Sequence, residues 1–172
     1  MKKQPKYKLY DEVFRLCDGK IQKSIIRGFY LDIAECPIDT IPFFPNLKHL
    51  DWLYVNNNNA LENNALSFPS LTTLNYMYVY NNTGLYYGPY FPVLTTTGYI
   101  GIYNNDSMFF APSFPALVTC TSTIDIFNNA ALVNTPVFTN LQTVNGSINI
   151  YQNAAMISCP TFANLVNVSC FQ

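Results

Sequence analysis

Charged residues make up only 11% of this 172-residue chain, against roughly a quarter in ordinary soluble domains. The shortage is uneven. Residues 1–27 carry eight basic side chains (Lys2, Lys3, Lys6, Lys8, Arg15, Lys20, Lys23, Arg27) and three acidic ones, a net of +5. The remainder sets Lys48 against seven acids, a net of −6, and beyond Glu62 only Asp106 and Asp125 are charged. A surface so poor in cations cannot track phosphates, and the basic residues of the head are too dispersed to form a groove. A solvated basic tail with no nucleic-acid partner is the expectation. A near-neutral body also lacks the repulsion that keeps molecules apart, so self-association is easier.

Catalytic vocabulary is equally sparse. His49 is the sole histidine and stands beside Lys48 with no cysteine or serine motif nearby. Walker, GxGxxG, HExxH and GxSxG patterns are missing, and with them the usual phosphate, dinucleotide, zinc and acyl-transfer chemistries. Five cysteines (Cys17, Cys36, Cys120, Cys159, Cys170) form no CxxC pair. An odd count without metal spacing points to reduced thiols rather than a disulfide framework or a zinc site. A non-enzymatic chain without cofactor or metal is expected. No apolar run reaches the ~20 residues a membrane helix needs, and the basic start has no apolar core of a signal peptide. An intracellular or virion-associated protein without a membrane partner is the simplest expectation. Sequons such as Asn105-Asp106-Ser107 and Asn145-Gly146-Ser147 matter only to a secreted chain.

What the chain has is a repeat. Phe44, Phe68, Phe91, Phe114, Phe138 and Phe162 recur about every 23–24 residues, the mark of a stacked solenoid. The first four are followed by proline, and three residues after each anchor comes Leu47, Leu71, Leu94, Leu117, Leu141 or Leu165. Every turn then offers an alternating apolar pair, Leu53/Val55, Met77/Val79, Ile100/Ile102, Ile124/Ile126 and Ile148/Ile150. Period-two alternation predicts one short strand per turn with these side chains inward. Three residues after each pair stands Asn58, Asn82, Asn105, Asn129 or Asn153, with Cys36 at the same offset in a degenerate first turn. An amide has two donors and an acceptor, so an inward column of this kind predicts a ladder linking the turns and satisfying backbone groups at the strand ends.

The pattern L-x-L-x-x-N-x-x-L resembles the leucine-rich-repeat superfamily, and the inserted F-P-x-L segment and N-N pair look like the variant repeats of receptor L domains. The resemblance spans about residues 25–172. It implies macromolecular recognition rather than catalysis. The strands are rich in Tyr and Asn, several leucines are replaced and no convex-side helix is evident, so both a curved horseshoe and a flattened β-solenoid stay open.

The expected architecture is therefore mainly β: a single repeat solenoid of about 23–24 residues per turn, with one short parallel strand in each. Residues 1–24 read as a basic tail and short helical cap, with Asp11 and Glu12 at the helix start and Gly19 at its end. Residues 25–172 read as about six turns, the last incomplete. A half-made turn would leave strand-edge groups exposed, to be covered by another chain, by the end folding over, or by further sequence.

If the apolar pairs point inward, their neighbours point outward. That face holds Tyr30, Trp52, Tyr54, Tyr76, Tyr78, Tyr80, Tyr99, Tyr103, Phe127 and Tyr151. Contiguous exposed aromatics normally mark an interaction site, although cross-strand stacking could equally serve the sheet itself. Asp32 and Asp125 share the face but lie four turns apart, about 19 Å at strand spacing, too far for a glycosidase pair. The threonine column Thr73, Thr96, Thr119, Thr143 suits strands; a single such column gives little support for ice binding. The expected function is a non-catalytic recognition module binding a protein or glycan through the aromatic face. The rival is a structural assembly protein associating through its neutral surface and open C-terminal turn.

Overall fold

The computed structural model describes residues 30–34, 44–59, 61 and 66–171. The expected N-terminal helix, Cys17 and Cys36 lie outside the described residues. The chain forms eight strands: β1 (Tyr30–Ala34), β2 (His49–Asn56), β3 (Thr73–Tyr80), β4 (Thr96–Tyr103), β5 (Thr119–Cys120), β6 (Ile124–Phe127), β7 (Thr143–Tyr151) and β8 (Asn167–Phe171). All pair in parallel in one sheet, in chain order, with β5 and β6 sharing one rung between β4 and β7. This is a β-solenoid of about five turns, with no helix among the described residues.

The repeat letters map onto turn geometry. Phe44, Phe68, Phe114, Phe138 and Phe162 each open a tight turn closed by the amide of the leucine three residues on, as in Leu71 to Phe68 at 3.3 Å and Leu117 to Phe114 at 3.2 Å. Proline after the anchor supplies the φ that the second position of such a turn requires. The six anchors stack as a column with centroids 5.1–5.5 Å apart and rings within 16° of parallel. Phe68, Phe91 and Phe114 are fully buried, and burial of such a side chain stabilises by about 1.5–3 kcal/mol. Beside them run columns of the strand pairs, of Leu50, Leu74, Thr97, Cys120 and Val144, and of Leu61, Leu85, Met108 and Leu132, forming one continuous core.

The small variation in turn length has a location. In β2, β3 and β4 two residues separate the inward positions where the strand bends, for example Asn75-Tyr76 between Leu74 and Met77. In the next two turns three do, Thr121-Ser122-Thr123 and Asn145-Gly146-Ser147. The insertion divides β5 from β6, and the register shifts again between β7 and β8. The turn starting at Phe44 is equally long but carries its extra residue between Asn58 and Phe68 in the sequence. A second, thinner set of parallel bridges joins the loops on another side, Ser67–Tyr90–Ser113–Val137 and Tyr87–Phe110–Asn134.

Candidate functional site

The asparagine ladder is present over every described turn. Asn58, Asn82, Asn105 and Asn129 are completely buried. Each Nδ2 donates forward to the Oδ1 of the next asparagine at 2.8–3.0 Å, ending on Asn153. Each also donates back to a strand carbonyl, Ile33, Val55, Val79 and Ile102 in turn, and Asn153 to Ile126. The backbone N–H of each rung donates to the next Oδ1 as well. The residue before each rung, Asn57, Asn81, Asn104, Asn128 and Gln152, has φ of 52–55°. Asparagine is among the few side chains that enter this left-handed region readily, which explains the N-N pairs. The sequon residue Asn105 is a ladder rung and offers no amide at the surface, whereas Asn145 is exposed.

The outward face of the sheet is built by register. Tyr30 pairs with Trp52, Trp52 with Tyr76 and Tyr76 with Tyr99. Beside them run Tyr54, Tyr78, Gly101, Asp125 and Asn149, and then Asn56, Tyr80, Tyr103, Phe127 and Tyr151. The described rings stack along these columns. Trp52–Tyr76 lie 5.7 Å apart, Tyr54–Tyr78 4.9 Å, and the third column runs Tyr80–Tyr103–Phe127–Tyr151 at 5.0–5.3 Å. Asn56 departs from the expected outward role. It is buried, and its Oδ1 accepts from the amide of Asn57 at 2.8 Å, where the chain turns left-handed.

Tyr99 breaks the pattern. Gly101 leaves the middle column empty at its level, and the Tyr99 ring leans into that space. A Cβ on Gly101 would meet the ring Cε1 at 2.7 Å and the phenol oxygen at 2.9 Å. The ring therefore packs on Tyr78, 5.1 Å away and tilted by 37°, and its hydroxyl donates to Asp125 Oδ2 at 2.8 Å. Asn149 Nδ2 donates to the other carboxylate oxygen at 2.7 Å. Burial and then the Asp125 carboxylate push the Tyr99 phenol far above its ordinary value. The phenols of Tyr78 and Tyr103 are raised too, chiefly by burial.

Stacking fixes what this face can offer. Rings lying face to face hide their faces against one another and turn edges and hydroxyls to solvent. A free face remains only where a column stops. Tyr76 is such a place, because Trp52 covers one side and no aromatic ring among the described residues covers the other. Tyr151 is another, at the last stacked ring of the third column. Both are well exposed, at 40% and 48%.

Sequence reading missed two clusters. His49 Nε2 and Asn75 Nδ2 both approach Asp51 Oδ1, at 3.2 and 2.8 Å. On the side of the loop bridges, Tyr86 stacks on Phe109 and Tyr87 on Phe110 at 5.4 and 5.0 Å. The signal was legible as a Tyr-Tyr pair and a Phe-Phe pair at matching places in successive turns. Among the described residues no group of three His, Cys, Asp or Glu side chains could hold a metal ion. Compared with protein-family models, with curated proteins and with solved structures, the chain matches none of them.

Proposed function

We propose that this solenoid is a non-catalytic recognition module that engages a protein or glycan through the outward face of its sheet. The observation that carries the reading is the field of aromatic edges and tyrosine hydroxyls on β2, β3 and β4, held rigid by stacking and nearly free of charge. Rigid aromatic side chains give contact area at small entropic cost. The leucine-rich-repeat resemblance of the sequence points the same way. The test is an array of immobilised glycans and protein ectodomains probed with the wild-type chain and with Tyr54→Ala/Tyr78→Ala. Capture lost in the variant, with circular dichroism unchanged, supports the face; equal capture by both sinks it.

A second reading is favoured by the side of the sheet beyond β7. The outer edge of β8 has no strand partner among the described residues, and Val166 and Ile157 are 77% and 84% exposed. Ile150, Tyr151, Asn153, Met156, Ile157 and Cys159 line an open depression of about 390 Å³ there. An uncharged, unprotected edge strand is a template for pairing. In this reading the chain assembles with other copies. Light scattering over a wide concentration range tests it, with Val168→Asp expected to give a monomer; an oligomer that survives that change would count against this edge.

A further inference from the structure

The outward face has a gap of one ring. Trp52 and Tyr76 are stacked, and the register places Tyr99 next. The Tyr99 ring has instead moved sideways over Gly101. On the far side stands Thr123, which precedes Ile124 as Tyr99 precedes Ile100. The levels of Tyr76 and Thr123 are two strand spacings apart, about 9.6 Å. Non-bonded carbon contacts of about 3.5–4.0 Å on either side leave room for one ring and not for two.

The walls of the gap differ in kind. One is the uncovered aromatic face of Tyr76. The other is polar: the Asp125 carboxylate, beside the Thr123 side chain, whose own hydroxyl is turned toward the next turn and accepts from the Ser147 N–H at 3.4 Å. Asp125 already accepts from Tyr99 and Asn149, yet a carboxylate offers about four lone-pair sites. These two donors fix its orientation and leave capacity for more. An aromatic side chain inserted here would satisfy Tyr76 and leave the polar wall unanswered. A pyranose has an apolar C–H face and a rim of hydroxyl donors, which answers both. Lys48 is the single lysine or arginine among the described residues, so among them an anionic sugar finds no counter-charge beside the gap.

We propose that the gap between Tyr76 and Thr123 is a subsite for one pyranose unit of a neutral glycan, stacked on Tyr76 and hydrogen-bonded by Asp125. The proposal rests on the recognition reading and narrows its ligand class. It also assigns Gly101 a specificity role, because its missing Cβ is what lets Tyr99 vacate the stack.

The test titrates the whole chain with neutral hexasaccharides of glucose, N-acetylglucosamine, xylose, mannose and galactose. Heat is measured by calorimetry, alongside emission from Trp52, which lies on the covered side of Tyr76. At least one hexasaccharide is expected to bind saturably. Gly101→Ala pushes the Tyr99 ring back into the gap and is expected to weaken binding by about tenfold or more. Tyr76→Ala, at an exposed position, is expected to do the same without disturbing the fold. No saturable binding by any member at millimolar concentration overturns the proposal. So does binding that survives both Gly101→Ala and Tyr76→Ala. If that surviving binding is abolished by Tyr54→Ala/Tyr78→Ala, the subsite falls while the wider recognition face stands; if the double variant also leaves it intact, both fall.

Discussion

Removal of one central rung should reveal what the ladder contributes. Asn105→Ala deletes an amide that donates to the Val79 carbonyl and to Asn129 Oδ1, and whose oxygen accepts from Asn82 through both its backbone N–H and Nδ2. The Val79 carbonyl and the Asn82 N–H then lose the partner the ladder supplies, in a site with no solvent access. An unsatisfied buried group costs about 1–3 kcal/mol, so two of them with the lost packing should cost about 3–5 kcal/mol. That is a large share of the ~5–15 kcal/mol typical of a whole domain. Urea unfolding followed by circular dichroism measures the loss, and native-state hydrogen exchange at the Asn82 amide localises it. Asn153→Ala, at a partly buried rung, should cost clearly less. The double variant Asn105→Ala/Asn129→Ala should be less than additive, because the two share a bond. A loss below about 1 kcal/mol for Asn105→Ala, or unchanged exchange at Asn82, would refute the ladder as a structural necessity.

Other outcomes can be checked with simpler measurements. Phe91→Ala removes a fully buried ring from the anchor stack and should cost about 3–5 kcal/mol in urea titrations. Gly98→Ala should destabilise strongly, because the new Cβ meets the main-chain oxygen of Asn75 at 2.2 Å, whereas Gly101→Ala meets only a movable ring and should be mild; melting temperatures separate the two. Burial pushes the Cys120 thiol up to about 11, and the Tyr78, Tyr99 and Tyr103 phenols are also raised. The unfolded chain releases these protons at lower pH than the folded one, so stability should fall as pH climbs above ~9; urea midpoints at successive pH values test the sign. Iodoacetamide at neutral pH should label exposed Cys159 well before buried Cys120, as mass spectrometry of the digest would report.

Much of this architecture is written in the letters, because a solenoid repeats its physics. Phe-Pro-x-Leu is a turn signature, the alternating pairs are strand signatures, and an asparagine at fixed offset has only the neighbouring turns to bond. The strands, the inward columns and the rungs from Asn58 to Asn153 follow from those local rules. The cross-section was less legible, since both solenoid shapes share one period. The form of its described residues, free of helix, depends on how loops such as Tyr86–Tyr90 bridge to the next turn, a matter of packing rather than period. The aromatic face was legible as composition and not as geometry. Alternation places Tyr99 outward, but nothing local says that its ring crosses to the column of Gly101. That displacement needs the empty Cβ position two residues on and the Asp125 acceptor in the next turn, a relation between turns that a single turn does not contain. The extra residues at Ser122 and Gly146 behave alike. The spacing of anchors counts them, and only the register tells which corner absorbs them.

The ladder also has a direction. In Asn82, Asn105 and Asn129 alike the amide oxygen accepts from the preceding turn and an N–H donates to the following one, and no bond between rungs from Asn58 to Asn153 is reversed. Bonds in such a chain polarise one another, and dipoles aligned in series add rather than cancel, as peptide units do in a helix. The buried axis is thus a polar rod, with negative potential toward its Asn58 end and positive toward its Asn153 end. Lengthening the solenoid by whole turns extends that rod without a change of sign, while a turn joined in the opposite sense would set two like poles against each other. The core itself therefore has a single sense along the solenoid, independent of anything on the surface.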